Sequence, residues 1–209
     1  MNYTEKILME NCVKTRNLSK RNGYQIYLDR IPSSNKDVFW ISFESDPKLR
    51  KTKANIYGRC LPCIQSLYEQ LQAKKREIAL GTAYHCWKIT VVLKDIESCF
   101  TLLSEFEKRF SHFYVYGKIG NGREKAKTRV VVFHAESEDE RDRILKAIEV
   151  CLPRVDGAID VQVSRGCAVL HNELFGDWRK WRPVMPIKHP ENVQRILDKI
   201  RKVLFWSIM

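Results

Sequence analysis

The sequence predicts an α+β protein centred on a ferredoxin-like split βαβ core, β-α-β-β-α-β, over roughly residues 84–165. A β-hairpin and a helix precede this core, and an amphipathic helix follows it. Three observations predict the class. "YHCWKITVVLK" (84–94) alternates at period two, with His85, Trp87, Ile89, Val91 and Leu93 on one side and Tyr84, Lys88, Thr90 and Lys94 on the other. "IESCFTLLSEFEKRF" (96–110) then switches to helical spacing, with Phe100, Leu103, Phe106 and Phe110 on one stripe. Finally "HFYVYGK" (112–118), "TRVVVFHA" (128–135) and "AIDVQVSR" (158–165) read as strands, with a second helix between the last two.

Taken in order, "GYQIYLDRI" (23–31) and "DVFWISFES" (37–45) are rich in aromatic and β-branched residues, and the turn-prone "PSSNK" between them predicts a hairpin. "PKLRKTKANIYGR" (47–59) carries Lys48, Arg50, Lys51, Lys53 and Arg59 without an apolar period, and reads as an exposed loop. Pro62 suits a first helical turn, and Ile64, Leu67, Tyr68 and Leu71 make one apolar face that ends at the cationic Lys74-Lys75-Arg76, with Gly81 closing the segment.

Within the core, Ser137-Glu138-Asp139-Glu140 is a capping-box pattern opening a helix with Ile144, Leu145, Ile148, Cys151 and Leu152 on its apolar face. Residues 166–190, "GCAVLHNELFGDWRKWRPVMPIKHP", read as irregular. Pro190 starts a last helix striped by Val193, Ile196, Leu197, Ile200, Val203 and Leu204. With no repeat and no low-complexity linker, residues 1–209 form one domain: 1–82 an N-terminal elaboration, 83–166 the ferredoxin-like core, and 167–209 the Trp- and Pro-containing segment with the terminal helix.

The Gly120-Asn121-Gly122 stretch in "YVYGKIGNGREKAKTRVVVFHA" (114–135) resembles a phosphate-cradling loop only at first sight. Such a loop needs a helix start after it, so that the helix N-terminus faces the anion. Here a strand follows, and "IGNGREKAK" (119–127) is the tip of a hairpin.

At 209 residues and 44% apolar content the chain can bury a core without staples, which argues against a disordered or disulfide-built class. Cys12, Cys60, Cys63, Cys86, Cys99, Cys151 and Cys167 are odd in number and scattered, which suits reduced, buried thiols. No stretch is apolar and long enough for a secretion signal or a membrane span, so a cytoplasmic protein is expected. The net charge of +12, from 37 Lys and Arg against 25 Asp and Glu, would attract a polyanion.

In a split βαβ both helices cover one sheet face. The other face should then carry Lys88, Thr90 and Lys94 from the first core strand, Tyr114, Tyr116 and Lys118 from the second, Arg129 and Phe133 from the third, and Gln162 from the fourth. Rings interleaved with cations on an open sheet suit single-stranded nucleic acid, because bases stack on rings while Lys and Arg follow phosphates. Three loop clusters add to this footprint: Lys48 to Arg59; Lys118 to Arg129 at the hairpin tip, with Arg123, Lys125 and Lys127; and Arg179, Lys180 and Arg182, with Trp178 and Trp181 available to stack. The third core strand lacks the Lys/Arg-Gly-aromatic signature of RNA recognition modules. The N-terminal hairpin or the terminal helix could also cover the face, turning its rings into a second core layer.

Two further clusters were weighed for chemistry. Cys60-Leu61-Pro62-Cys63 has the C-x-x-C spacing of a redox pair, but the hydrophobic strand expected before it is missing. A zinc site would need two more ligands, of which His85-Cys86 are the nearest, and reduced, metal-free thiols packed at a helix start are the plainer expectation. Cys167, His171 and Asp177 hold the residue types of a nucleophile, base and orienter, without evidence of convergence. No catalytic set, metal or cofactor is therefore assigned. The chain reads as a basic binding protein for nucleic acid, RNA or single strands above all. The alternatives are an enzyme or redox protein using Cys60/Cys63 or the Cys167/His171 segment, and a subunit whose basic surface meets an acidic protein partner.

Overall fold

A computed structural model describes residues 26–30, 40–57, 60–121 and 128–204. Strands β1 (Tyr27–Arg30) and β2 (Trp40–Glu44) are followed by a π-helical segment (Thr52–Tyr57), helix α1 (Leu61–Gln72), β3 (Glu77–Ala79) and the short α2 (Thr82–His85). Then come β4 (Trp87–Leu93), α3 (Ile96–Phe110), β5 (Tyr116–Asn121), β6 (Arg129–Ala135), α4 (Glu138–Cys151) and β7 (Ala158–Arg165). The chain continues through α5 (Ala168–Phe175), β8 (Val184–Pro186) and α6 (Val193–Leu204).

The fold is mixed α+β. Six strands form one antiparallel sheet in the order β1-β2-β5-β6-β4-β7, and β3 pairs with β8 in a separate two-stranded sheet. The β1–β2 hairpin extends the sheet through β2, which pairs with β5 from Trp40↔Gly120 to Glu44↔Tyr116. β5 and β6 pair as a hairpin down to Asn121↔Arg129, and the tip carrying Arg123, Lys125 and Lys127 lies outside the described residues. No helix among the described residues is long and apolar enough to cross a membrane.

Alternation in β4 sets the first core. Trp87, Ile89, Val91 and Leu93 are buried against α3 and α4, while Lys88, Thr90 and Val92 on the other face are half-buried. The helices begin where their caps dictate: Asp95 accepts from the Ser98 N–H at 2.8 Å, and Ser137 Oγ accepts from the Glu140 N–H at 3.1 Å. Glu140 reaches back to the Glu136 N–H at 2.7 Å, a capping box displaced by one residue from its usual target. Inside, the Phe133 ring lies 5.1 Å from Phe43 and 5.3 Å from Phe106. Each such ring, fully removed from water, contributes about 1.5–3 kcal/mol.

A second core joins the two ends of the chain. α1 packs against α6, and Leu67, Leu71, Ile78, Phe175, Ile196 and Ile200 are buried together. The terminal helix thus spends its apolar stripe on the N-terminal helix. The half-buried Trp178 packs against both cores, with its ring 5.8 Å from Trp87 at 89°.

Three stretches differ from the sequence expectation. Residues 50–57 are helical where a loop was expected, because Glu44 caps them from inside: its carboxylate accepts from the Lys51 and Thr52 N–H groups, each at 2.9 Å. A segment capped by a residue on another element needs no apolar period of its own. The strand expected from residue 84 starts at Trp87, and His85 belongs to α2. The stretch 166–190, expected to be irregular, contains α5 and the β8 edge that closes the second core.

Candidate functional site

Register decides which side chains share the sheet face opposite α3 and α4. Lys88 sits across from His134 and Thr90 from Val132, while Ile89 sits across from Phe133 and Leu93 from Arg129. Phe133 therefore belongs to the helix side, fully buried, and so does Arg129 by its place in the ladder; both differ from the expected assignment by the one-residue slip that turns a side chain to the other face. Residues 130–135 are all buried, so β6 offers no alternation from which its parity could be read.

Tyr116 does lie on the polar face but is covered. It is 2% exposed, its hydroxyl accepts from Asn55 Nδ2 at 3.3 Å and donates to Glu136 Oε1 at 3.3 Å, and its ring stacks on His134 with centroids 5.5 Å apart. The helical segment 50–57 forms that cover. Tyr114 is exposed, with its hydroxyl donating to Glu44. Lys94 pairs with Asp156.

The Trp-Arg segment divides in the same way. Trp181 is buried, with its indole N–H donating to the Gly176 carbonyl at 3.0 Å, and Trp178 is held between the cores. Arg179, Lys180 and Arg182 are exposed, with Arg179 paired to Asp177 at 3.2 Å.

The sheet face supplies an aromatic from a strand that sequence reasoning did not place there. Trp40, half-buried, lies over Gly120, where an added Cβ would stand 2.1 Å from its ring. The Lys118 ammonium lies 4.3 Å from the same ring. Trp40, Lys118, Lys88, Thr90 and Gln162 share this face with Ser42, the buried Glu44, Tyr116 and His134, and with Asp160. The pairing of β2 with β5 was not readable from local pattern, so Trp40 carried no signal for this position.

The other constellation is sulfur. Cys60 precedes α1 in the left-handed conformation, φ 58° and ψ 46°, and its carbonyl accepts from the Cys63 N–H at 3.0 Å. This tight turn sets both thiols of the C-x-x-C on one side. Cys86 ends α2 just before β4, and Cys167 follows β7 at the start of α5. The β4–β7 ladder ends in Trp87↔Arg165 and one more bond, from the Gly166 N–H to the Cys86 carbonyl at 2.8 Å, which brings the latter two cysteines to the same spot.

The four thiols are neighbours: Cys60, Cys63 and Cys86 line one cavity, and Cys167 is near enough to influence both Cys60 and Cys63. Cys60 Sγ also meets the Asn55 carbonyl at 3.2 Å, and Cys63 Sγ the Thr82 hydroxyl at 3.1 Å. Hydrogen bonds from Cys167 and Cys86 hold the Cys60 thiol well below the ordinary thiol range, and the bond from Cys167 lowers Cys63 to about 7. The same bonds, with burial, push Cys86 and Cys167 up. As the side chains stand, no group of three or more His, Cys, Asp or Glu among the described residues is placed to hold a metal ion.

Cys60, Cys63 and Cys86 open onto a cavity of about 570 Å³ that Tyr116, His134 and Glu136 also line. His134 is 3% exposed, neither ring nitrogen has a hydrogen-bond partner, and burial lowers its pKa to about 3, so it stands there as a neutral imidazole. By contrast, Cys167, His171 and Asp177 do not assemble a nucleophilic set. His171 Nδ1 meets the Cys167 carbonyl at 3.1 Å, not its thiol, and packs beside Trp181, while Asp177 accepts from the Arg179 N–H. No protein-family model matches the chain, and neither a curated protein nor a solved structure matches it.

Proposed function

We propose that the protein binds nucleic acid, RNA or single strands in preference to duplex, by stacking and phosphate neutralisation on the sheet face away from α3 and α4. The observation that carries this reading is the Trp40–Lys118 pair: an aromatic ring and an ammonium 4.3 Å apart on adjacent strands of one sheet face. We read β4 to β7 as a ferredoxin-like unit with both helices on one side, which leaves Lys88, Thr90 and Gln162 on the other with that pair. The net charge of +12 supplies long-range attraction, to which Arg123, Lys125 and Lys127, outside the described residues, contribute. Exposed Arg179, Lys180 and Arg182 form a second cationic cluster for the backbone of a longer strand. A protein of this kind acts in the cytoplasm.

The test is a fluorescence-anisotropy titration of the full chain with a labelled single-stranded RNA, repeated at several salt concentrations. Saturable binding whose affinity falls with salt by about 0.7 log units per phosphate contact and per log unit of salt is the expected result. Absence of saturable binding near physiological salt overturns the reading. Equal affinity for an acidic polypeptide would reassign the surface to a protein partner.

A further inference from the structure

We propose that Cys60, Cys63, Cys86 and Cys167 form a tetrathiolate site for a single zinc ion that ties α1 to the β4–β7 edge of the sheet. The proposal is independent of nucleic-acid binding. It also departs from the sequence expectation of metal-free thiols, which rested on the lack of two further ligands. The fold supplies them from residues 23 and 104 positions beyond Cys63, which no local spacing could reveal.

Four features support the site. First, the ligand type and number are those of a structural zinc centre, with four cysteines and one C-x2-C pair. Second, the backbone presents them: the left-handed Cys60 turns the C-x2-C pair inward, and the Gly166-to-Cys86 hydrogen bond draws Cys86 and Cys167 together from opposite ends of adjacent strands. Third, Cys86 and Cys167 are near enough to influence Cys60, and Cys167 to influence Cys63, so every member of the set neighbours another. Metal binding requires the side chains to turn until the four sulfurs stand about 2.3 Å from one ion. Fourth, Cys60, Cys63 and Cys86 line one cavity, so three of the four sulfurs belong to a single space.

The alternatives fit less well. Thiols this close together leave room for one ion, whereas an iron–sulfur cluster must hold its cysteines apart around several irons and sulfides. A redox pair uses two thiols and leaves the convergence of the other two unexplained. Cys99 and Cys151, both fully buried in the first core, show what cysteines without this role look like: each sits inside a helix among apolar side chains. Binding balances as four S–Zn bonds formed for four thiol protons, which pass to solvent or buffer.

The test uses the full chain purified without chelator. Mass spectrometry of the metal content should find about one zinc per chain, released only when the thiols are titrated with a mercurial. Replacement of zinc by Co²⁺ should give intense sulfur-to-cobalt charge transfer with the ligand-field bands of a tetrahedral tetrathiolate. Cys86→Ser and Cys167→Ser should lose the metal, and Cys151→Ala should keep it. Should the serine variants fail to fold, the cobalt spectrum of the unaltered protein still decides the matter. A protein that takes up no metal after zinc reconstitution overturns the proposal, as does one that carries iron with acid-labile sulfide or a Cys60–Cys167 disulfide in place of zinc.

Discussion

The Gly166 N–H donates to the Cys86 carbonyl at 2.8 Å, and a Cβ at Gly166 would stand 2.3 Å from Cys86 Sγ. The ladder thus ends in a contact that no side chain larger than hydrogen permits. Gly166→Ala should destabilise the protein by about 1–3 kcal/mol through overpacking, measured by urea denaturation. Cys86→Ala removes the clashing sulfur, so with all variants compared metal-free the double variant should recover part of that loss as a coupling energy. Equal stability of Gly166→Ala and the unaltered protein would show that the contact is not as described.

Glu44 is fully buried on β2 and holds the segment above it through the two backbone N–H groups of Lys51 and Thr52. Glu44→Ala leaves those donors without their acceptor, at a cost of about 1–3 kcal/mol each if they stay dry. Glu44→Gln keeps one accepting oxygen but turns an NH₂ toward the other donor, and should fall between. Hydrogen exchange at residues 51–57 should speed up in the alanine variant ahead of exchange in β4 and β6. Uniform acceleration across the sheet would mean that the segment and the core open as one unit.

How much of this was legible in the sequence depends on where each signal is stored. Trp87, Ile89, Val91 and Leu93 alternate within one strand, and Ser137 with Glu140 announces a cap four residues long, so β4 and α4 could be read locally. The pairing of β5 with β6 followed from element order, but β5 spans Tyr116–Asn121 where the sequence predicts a strand over 112–118 and a tip from residue 119. Phe133 could not be assigned a face, because every neighbour in β6 is buried and period two vanishes. Trp40 and Glu44 act on β5 and on residues 51–52 through a strand pairing between distant segments. The cysteine cluster depends on the same kind of information: two of its members are neighbours in sequence, and the other two meet each other only because β4 and β7 pair.

Tyr116 and Phe133 were expected as stacking rings and instead separate by face and by energy. Phe133→Ala should cost about 3–5 kcal/mol, because its ring fills the space between Phe43 and Phe106. Tyr116→Phe removes a hydroxyl shared with Asn55 and Glu136, and should cost on the order of 1 kcal/mol while leaving RNA affinity unchanged. Thermal and urea unfolding give the first pair of values, and anisotropy titration gives the last. A loss of RNA affinity in Tyr116→Phe at full stability would return this tyrosine to the binding surface.

Trp40 and Lys118 provide the sharper division between stacking and charge. Trp40→Ala should weaken single-strand binding by about 1–3 kcal/mol with the salt dependence almost unchanged, since a ring contributes by stacking. Lys118→Ala combined with Lys88→Ala should instead flatten the slope of log K against log salt by about 0.7 for each phosphate contact removed. The two effects have different physical origins, so they should add when the variants are combined, apart from a coupling between Trp40 and Lys118 that reflects their 4.3 Å contact. Arg179→Ala with Arg182→Ala is the comparison at a distance from the sheet: it should lower the slope for a long oligonucleotide and leave a short one unaffected. If Trp40→Ala binds as the unaltered protein does while the lysine variants lose affinity, the face engages phosphates alone, and the stacking part of the proposed function is withdrawn.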